Sequence, residues 1–328
     1  MRRRNLVTIT GILLVALAGY AASGCGAASD RIRFGAAGLG GMYHAFADTF
    51  TDIAKSENED YKMEVKTTAG SAANLRLLSE DYVQLAIAQA DLTNDAYYGT
   101  GIFEGKEYQG YSAVAGLYTE ACQIVVRDDS DIESIDDLQG KKISIGEEES
   151  GTEQNANQIL AAYGLTDQLV DKVNLDYTEA ASELKDGEID AFFCTAGIQT
   201  TVIGELSKQC GIRLLELDDK GKNKLLNAYD FYTEYEIPAE TYAGQTEAVD
   251  TVGVKAVLLA SNNLSEKTVE NLTRTLFANE QELQYSLSAD IVLDEADAVE
   301  GNSVPFHKGA AKYYESAGVD VTTEKGSK

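Results

Sequence analysis

The 328-residue chain has no tryptophan, two histidines (His44 and His307) and two prolines (Pro238 and Pro305). With so little proline and no Pro/Gly-rich tract, nothing marks a flexible tether between domains. Histidine and cysteine are too scattered for a metal centre: Cys25, Cys122, Cys194 and Cys210 show neither CxxC nor zinc-site spacing. Both histidines read as structural. Positive charge is also short, with 27 Lys and Arg against 54 Asp and Glu and a formal net charge of −27. That argues against nucleic acid as a partner, because phosphate binding relies on clustered Lys and Arg. It equally argues against a polybasic grip on membranes. No Gly-x-Ser-x-Gly elbow is present, and no histidine stands where a nucleophile would need it. Acid pairs such as Asp128-Asp129 and Asp218-Asp219 read as solvated turns. No catalytic residue, metal or cofactor is therefore assigned, and the chain does not read as an enzyme.

What is present begins with a leader. Met1 to Arg4 is basic, Leu6 to Ala18 is apolar, and Ala22-Ser23-Gly24-Cys25 follows. The apolar run is shorter than the ~20 residues that cross a bilayer, so residues 1–24 read as an export signal. Small residues before Cys25 predict a lipid on Cys25, a tether over residues 25–31 and an extracytoplasmic, membrane-anchored monomer. The other reading is ordinary cleavage nearby, since Ala22 stands where a larger aliphatic is usual. Cys122 and Cys194 lie in apolar runs and read as small buried hydrophobes. A Cys194–Cys210 bridge stays open.

Strand-like and helix-like stretches alternate beyond the leader, which predicts an α/β protein. Residues 32–35, 63–68 and 83–88 read as strands. Tyr43, Phe46, Ala47, Phe50, Ile53 and Ala54 share one face of the helix after the first of them. Residues 111–117 and 122–126 read as two strands joined by Tyr118-Thr119-Glu120-Ala121, where the chain changes domain. A second α/β series follows, and the apolar residues 251–260 return to the first domain. Residues 265–287 read as a long helical region capped by Ser265. The expected division is domain I from 32–120 plus 245–318, domain II from 121–244, and a loose tail from 319–328.

Three turns open helices with glycines or hydroxyls. They are Gly38-Leu39-Gly40-Gly41, then Thr68-Ala69-Gly70-Ser71 with Asn74, and Ser150-Gly151-Thr152 with Asn155. Exposed amides at a helix start attract carboxylate or phosphate. The first turn is not the dinucleotide fingerprint, which needs glycine where Tyr43 stands, and no Gly-Lys-Ser/Thr follows for a P-loop. Each turn alone reads equally as structure, Ser71 for instance as a plain N-cap. Three together predict a cleft that holds a small polar ligand between two domains. The candidate contacts are Gly40, Tyr43, Ser71, Asn74, Gln89, Ser150, Gly151, Thr152, Asn155 and Gly197, with Asp91 placed to meet an amino group.

At these motifs the chain resembles the TAXI family of TRAP-transporter-associated solute receptors. The resemblance is carried by Gly40-Gly41-Met42-Tyr43-His44, by residues 69–78, by Gln89-Ala90-Asp91 and by residues 149–156. Residues 184–193 and 304–314 carry it further. It implies a two-domain periplasmic-binding-protein-like fold of type II with a ligand cleft between the domains. It also implies a TRAP-type permease as partner, hinge closure, and a small carboxylate or acidic, glutamate-like amino acid as ligand. Glu149, Ala69 and Ala90 depart from the family pattern near the site. The alternatives are a binding protein of an ABC importer or sensor system, or an extracytoplasmic enzyme on the same fold.

Overall fold

The computed structural model describes residues 31–287 and 293–324. The expected export leader and Cys25 lie outside the described residues. The first series is β1 (Arg31–Gly35), α1 (Met42–Glu57), β2 (Lys62–Lys66), α2 (Ser71–Ser79), β3 (Leu85–Gln89) and α3 (Ala90–Tyr98). A long strand, β4 (Tyr111–Arg127), leads into β5 (Lys142–Ser144), α4 (Gly151–Tyr163), β6 (Asp171–Val173), α5 (Tyr177–Asp186) and β7 (Ala191–Ala196). Then come α6 (Thr201–Gln209), β8 (Ile212–Leu214), α7 (Asp219–Ala228), β9 (Tyr232–Ile237) and β10 (Val249–Ser261). Helices α8 (Glu266–Ala278), α9 (Glu280–Leu287), α10 (Glu295–Val299) and α11 (Lys308–Ala317) close the order.

The strands form one mixed sheet in the order β2-β1-β3-β10-β4-β7-β5-β6, with β8 on β4 and β9 on β10. Parallel βαβ units sit at each end, and the antiparallel pair β10–β4 lies between them. Each end carries its own core. On one side, the predicted α1 face is buried, with Phe46 stacked on Phe50 at 5.9 Å and Phe34 edge-on to Phe50 at 6.3 Å. On the other, strand alternation sends Cys122, Ile124 and Val126 to one face of β4 and Ala121 and Val125 to the opposite face. The first core takes β4 residues up to Leu117 and β10 residues from Ala256 onward; the other two clusters take them from Ala121 and back to Val254. The result is a mixed α/β periplasmic-binding-protein-like fold, a cleft lying between two lobes.

Three details differ from expectation. Residues 111–127 are one continuous strand, because β10 pairs with it on both sides of residue 118 and leaves no connector. The helical region after Ser265, whose Oγ does cap the Thr268 amide, divides at Asn279 into α8 and α9. Of the expected tail, Val319 and Val321 pack on the first core, and Thr322 O accepts from Phe306 N at 2.8 Å. Residues 325–328 lie outside the described residues. Cys122, Cys194 and Cys210 are free thiols.

Candidate functional site

The cleft is lined from the first lobe by the α1 turn (Ala37, Gly38, Gly41, Met42, Tyr43), the α2 turn (Ala69, Gly70, Ser71) and Gln89 at the end of β3. Ser150, Gly151 and Thr152 at the start of α4 face them, with Glu147, Asp176, Tyr177, Thr195 and Ala196. Glu120 comes from β4 between the lobes. These are strand ends and helix starts, the place where open α/β sheets hold ligands.

Of the expected contacts, Tyr43, Ser71, Gln89, Ser150, Gly151 and Thr152 are brought together here. Ser150 caps α4 by accepting from the Glu153 amide at 3.0 Å. Thr152 Oγ1 is 2.6 Å from the Tyr177 hydroxyl, which donates to Thr195 O at 3.0 Å. Ser71 is not the N-cap of α2; Gly70 holds that position, and Ser71 Oγ accepts from the Gln89 amide at 3.1 Å.

The other five stand elsewhere. Asn74 is a fully buried brace: Nδ2 donates to Ala36 O and to Ile87 O at 2.8 Å, and Oδ1 accepts from Thr68 Oγ1 at 2.7 Å. Asn155 lies behind the lining, accepting from Gln89 Nε2 at 2.9 Å and donating to the Tyr232 hydroxyl at 2.8 Å. Gly40, at φ +82°, borders a separate hollow with Thr178 and Val202, and Gly197 packs beneath Met42 and Tyr118. Asp91 is not in the lining; burial pushes its carboxyl up to about 7. An amino-group partner would instead be Glu120.

The two lobes also touch across the cleft. The carbonyl of Glu149 accepts from the Ala72 and Ala73 amides at 3.1 and 3.3 Å, so the first turn of α2 is capped by the opposite lobe. The Glu149 side chain is not in the cleft lining and pairs with Arg76 on α2 of the opposite lobe. By contrast, the Gly151 and Thr152 amides of α4 take no protein acceptor among the described residues. An anionic or carbonyl group therefore finds its amide donors on α4, not on both helices.

Sequence reasoning missed Glu120 because residues 118–121 read as a connector. In the continuous strand this acid is 3 % exposed, and Tyr43 donates to its Oε2 at 2.6 Å. Burial pushes the carboxyl up to about 8, against the hydrogen bonds of Tyr43 and Gln89 and helped by the charge of Asp91. Burial, with the charges of Asp176 and Glu179, raises Glu147 as well. No Lys, Arg or His among the described residues lines the cleft. No group of three or more His, Cys, Asp or Glu among the described residues is set to hold a metal.

The Glu120 shift carries a sign. Its folded carboxyl titrates above the ordinary carboxylate range, so the folded state holds the proton longer than the unfolded chain does. Its contribution is intact below that ordinary range and is lost as pH rises toward about 8. At ~1.4 kcal/mol per unit the loss is of the order of a few kcal/mol. Glu120→Gln is therefore expected to raise the melting temperature of the ligand-free protein at pH 8 and to change it little at pH 4. An equal effect at both values would show that Glu120 ionises in solvent.

Residues 34–318 match the model of the NMT1-like family. Among solved structures, the alkanesulfonate-binding protein SsuA from Xanthomonas axonopodis pv. citri, bound to MOPS, is similar with TM-score 0.51 and 14% identity, over 90% of this chain and 96% of that one. An ancestral arginine-binding protein bound to arginine has TM-score 0.51 and 16% identity, over 79% and 98%. A protein from Bordetella bronchiseptica RB50 has TM-score 0.53 and 15% identity, over 91% and 85%. These findings overturn the TAXI resemblance: the family whose model matches is the NMT1-like one.

Proposed function

The chain belongs to the NMT1-like family, and we propose that it is an extracytoplasmic solute-binding protein, anchored through Cys25, that delivers a small polar solute to a membrane importer. The observation that carries this reading is the cleft itself. Polar groups from β3, β4, α1, α2 and α4 converge on it, and no nucleophile among them is activated. Cys122 and Cys194 are buried thiols, the former pushed up to about 12 by burial. The β10 packing moves the expected second boundary from 244 to about 255, and we take the lobes as residues 32–120 with 255–318, and 121–254, swinging closed over the solute. The importer we propose is of the ABC type. It is the alternative left open by the sequence, now that the resemblance that suggested a TRAP permease no longer stands.

Calorimetry of the purified protein against amino acids, sulfonates and short carboxylates tests the reading. Micromolar or tighter binding without turnover is the expected result; hydrolysis or no binding by any solute would contradict it. Ser71→Ala with Thr152→Ala should weaken the bound solute by roughly 30-fold, at ~1 kcal/mol per lost hydrogen bond. Unchanged affinity would move the site away from these turns.

A further inference from the structure

Resting on the solute-capture reading, we infer that the solute carries a protonated amino group seated between the Glu120 carboxyl and the Gln89 Oε1, with an acceptor group toward the Gly151 and Thr152 amides. Gln89 is 1 % exposed; its Nε2 donates to Asn155 at 2.9 Å, and its side chain also hydrogen-bonds Glu120. Gln89 lines the cleft, and its Oε1 is buried with no hydrogen-bond donor among the described residues. A buried acceptor left unpaired is costly, so this oxygen calls for a donor from the solute. Glu120 stands in the same lining and accepts from Tyr43 on Oε2.

An ammonium has three donors and no acceptor, which suits two acceptors at one end of a cleft. A hydroxyl or neutral amide would satisfy Gln89 but would bring no positive charge to a lining that carries Glu147 and Asp176 beside Glu120. Glu120, Glu147 and Asp176 all line the cleft, and no cation among the described residues does. A dicarboxylate or plain sulfonate would therefore meet like charge, while an amino group offsets it. The Gln89 amide lies against the first residue of α4, its Oε1 2.4 Å from the point a Gly151 Cβ would occupy. The acceptor pair and the two amide donors thus belong to one small site. The geometry fits a compact molecule with an ammonium and an anionic or carbonyl group, such as a free amino acid or an aminosulfonate.

The burial that raises the Glu120 carboxyl adds a consistent sign. A bound ammonium would favour its ionised form and relieve that cost. Groups facing Glu120 from the elements around it are Tyr43 on α1, Asp91 on α3, Tyr118 and Cys122 on β4, Tyr177 on α5 and Cys194 on β7. None of them is a cation.

The test uses matched solutes that differ only in the amino group: taurine and ethanesulfonate, L-alanine and propionate, L-glutamine and glutaramate, L-glutamate and glutarate. Calorimetry on the purified protein should find binding only among the amino-bearing members, with each desamino partner at least 100-fold weaker. For the amine that binds, Glu120→Gln should cost at least 30-fold in affinity with an unchanged circular dichroism spectrum. A desamino member binding within 3-fold of its partner overturns the inference and leaves solute capture standing. Silence from all eight overturns both.

Discussion

Gly151→Ala is expected to abolish solute binding, with at least a 100-fold loss by calorimetry. A Cβ at this first residue of α4 would stand 2.4 Å from Gln89 Cδ and Oε1 and 2.6 Å from Nε2, well inside van der Waals contact. The Gln89 amide is not free to swing aside, because Asn155 holds its Nε2 and Tyr232 in turn holds Asn155. Either the lobes part at this point or the amide is expelled from the cleft. The first undoes the contacts of Glu149 O with the start of α2; the second removes the acceptor offered to the solute. Both end capture, while the two cores, which Gly151 does not join, remain intact. Solution scattering should separate the two outcomes, since only parting of the lobes enlarges the radius of gyration. Wild-type affinity in this variant would place the solute somewhere else.

Asn74→Ala should cost stability more than binding: about 3 kcal/mol in a denaturant titration. The side chain joins the end of β1, through Ala36 O, to Ile87 O in β3 and to Thr68 before α2. Truncation leaves two carbonyls without this donor in a fully buried place, each loss worth ~1–3 kcal/mol, and opens a cavity besides. Because α2 carries Ser71 into the cleft, a moderate loss of affinity should accompany it. A variant as stable as the parent but unable to bind would return Asn74 to the role first expected of it, that of a direct contact.

These two cases mark where the sequence was readable. Hydroxyl and glycine turns before helices are local signals, and Ser150, Gly151, Thr152, Ser71 and Tyr43 do meet at one cleft. The apolar face of α1 was equally plain, since helical periodicity is set by near neighbours. What stayed hidden depends on distant pairing. Thr119-Glu120-Ala121 looks like a polar connector until β10 supplies its partner, with Val254 opposite Glu120. Only then does an acid become a buried group in a strand. Asn74 and Asn155 sit beside visible motifs, yet their neighbours across the fold, Ile87 and Tyr232, turn them into braces. The capping of α2 by Glu149 O is likewise a meeting of residues 76 and 77 positions apart in sequence.

β4 and β10 each pass unbroken from one core into the other. Neither lobe is a module that can be lifted out. A boundary cut near residue 120 or 255 would sever a strand in mid-ladder and expose backbone donors and acceptors that invite edge-to-edge association. Grafting the recognition half onto a foreign partner would have to carry both strands whole. Variation of solute preference is thereby confined to exchanges of side chains and turns on a fixed frame.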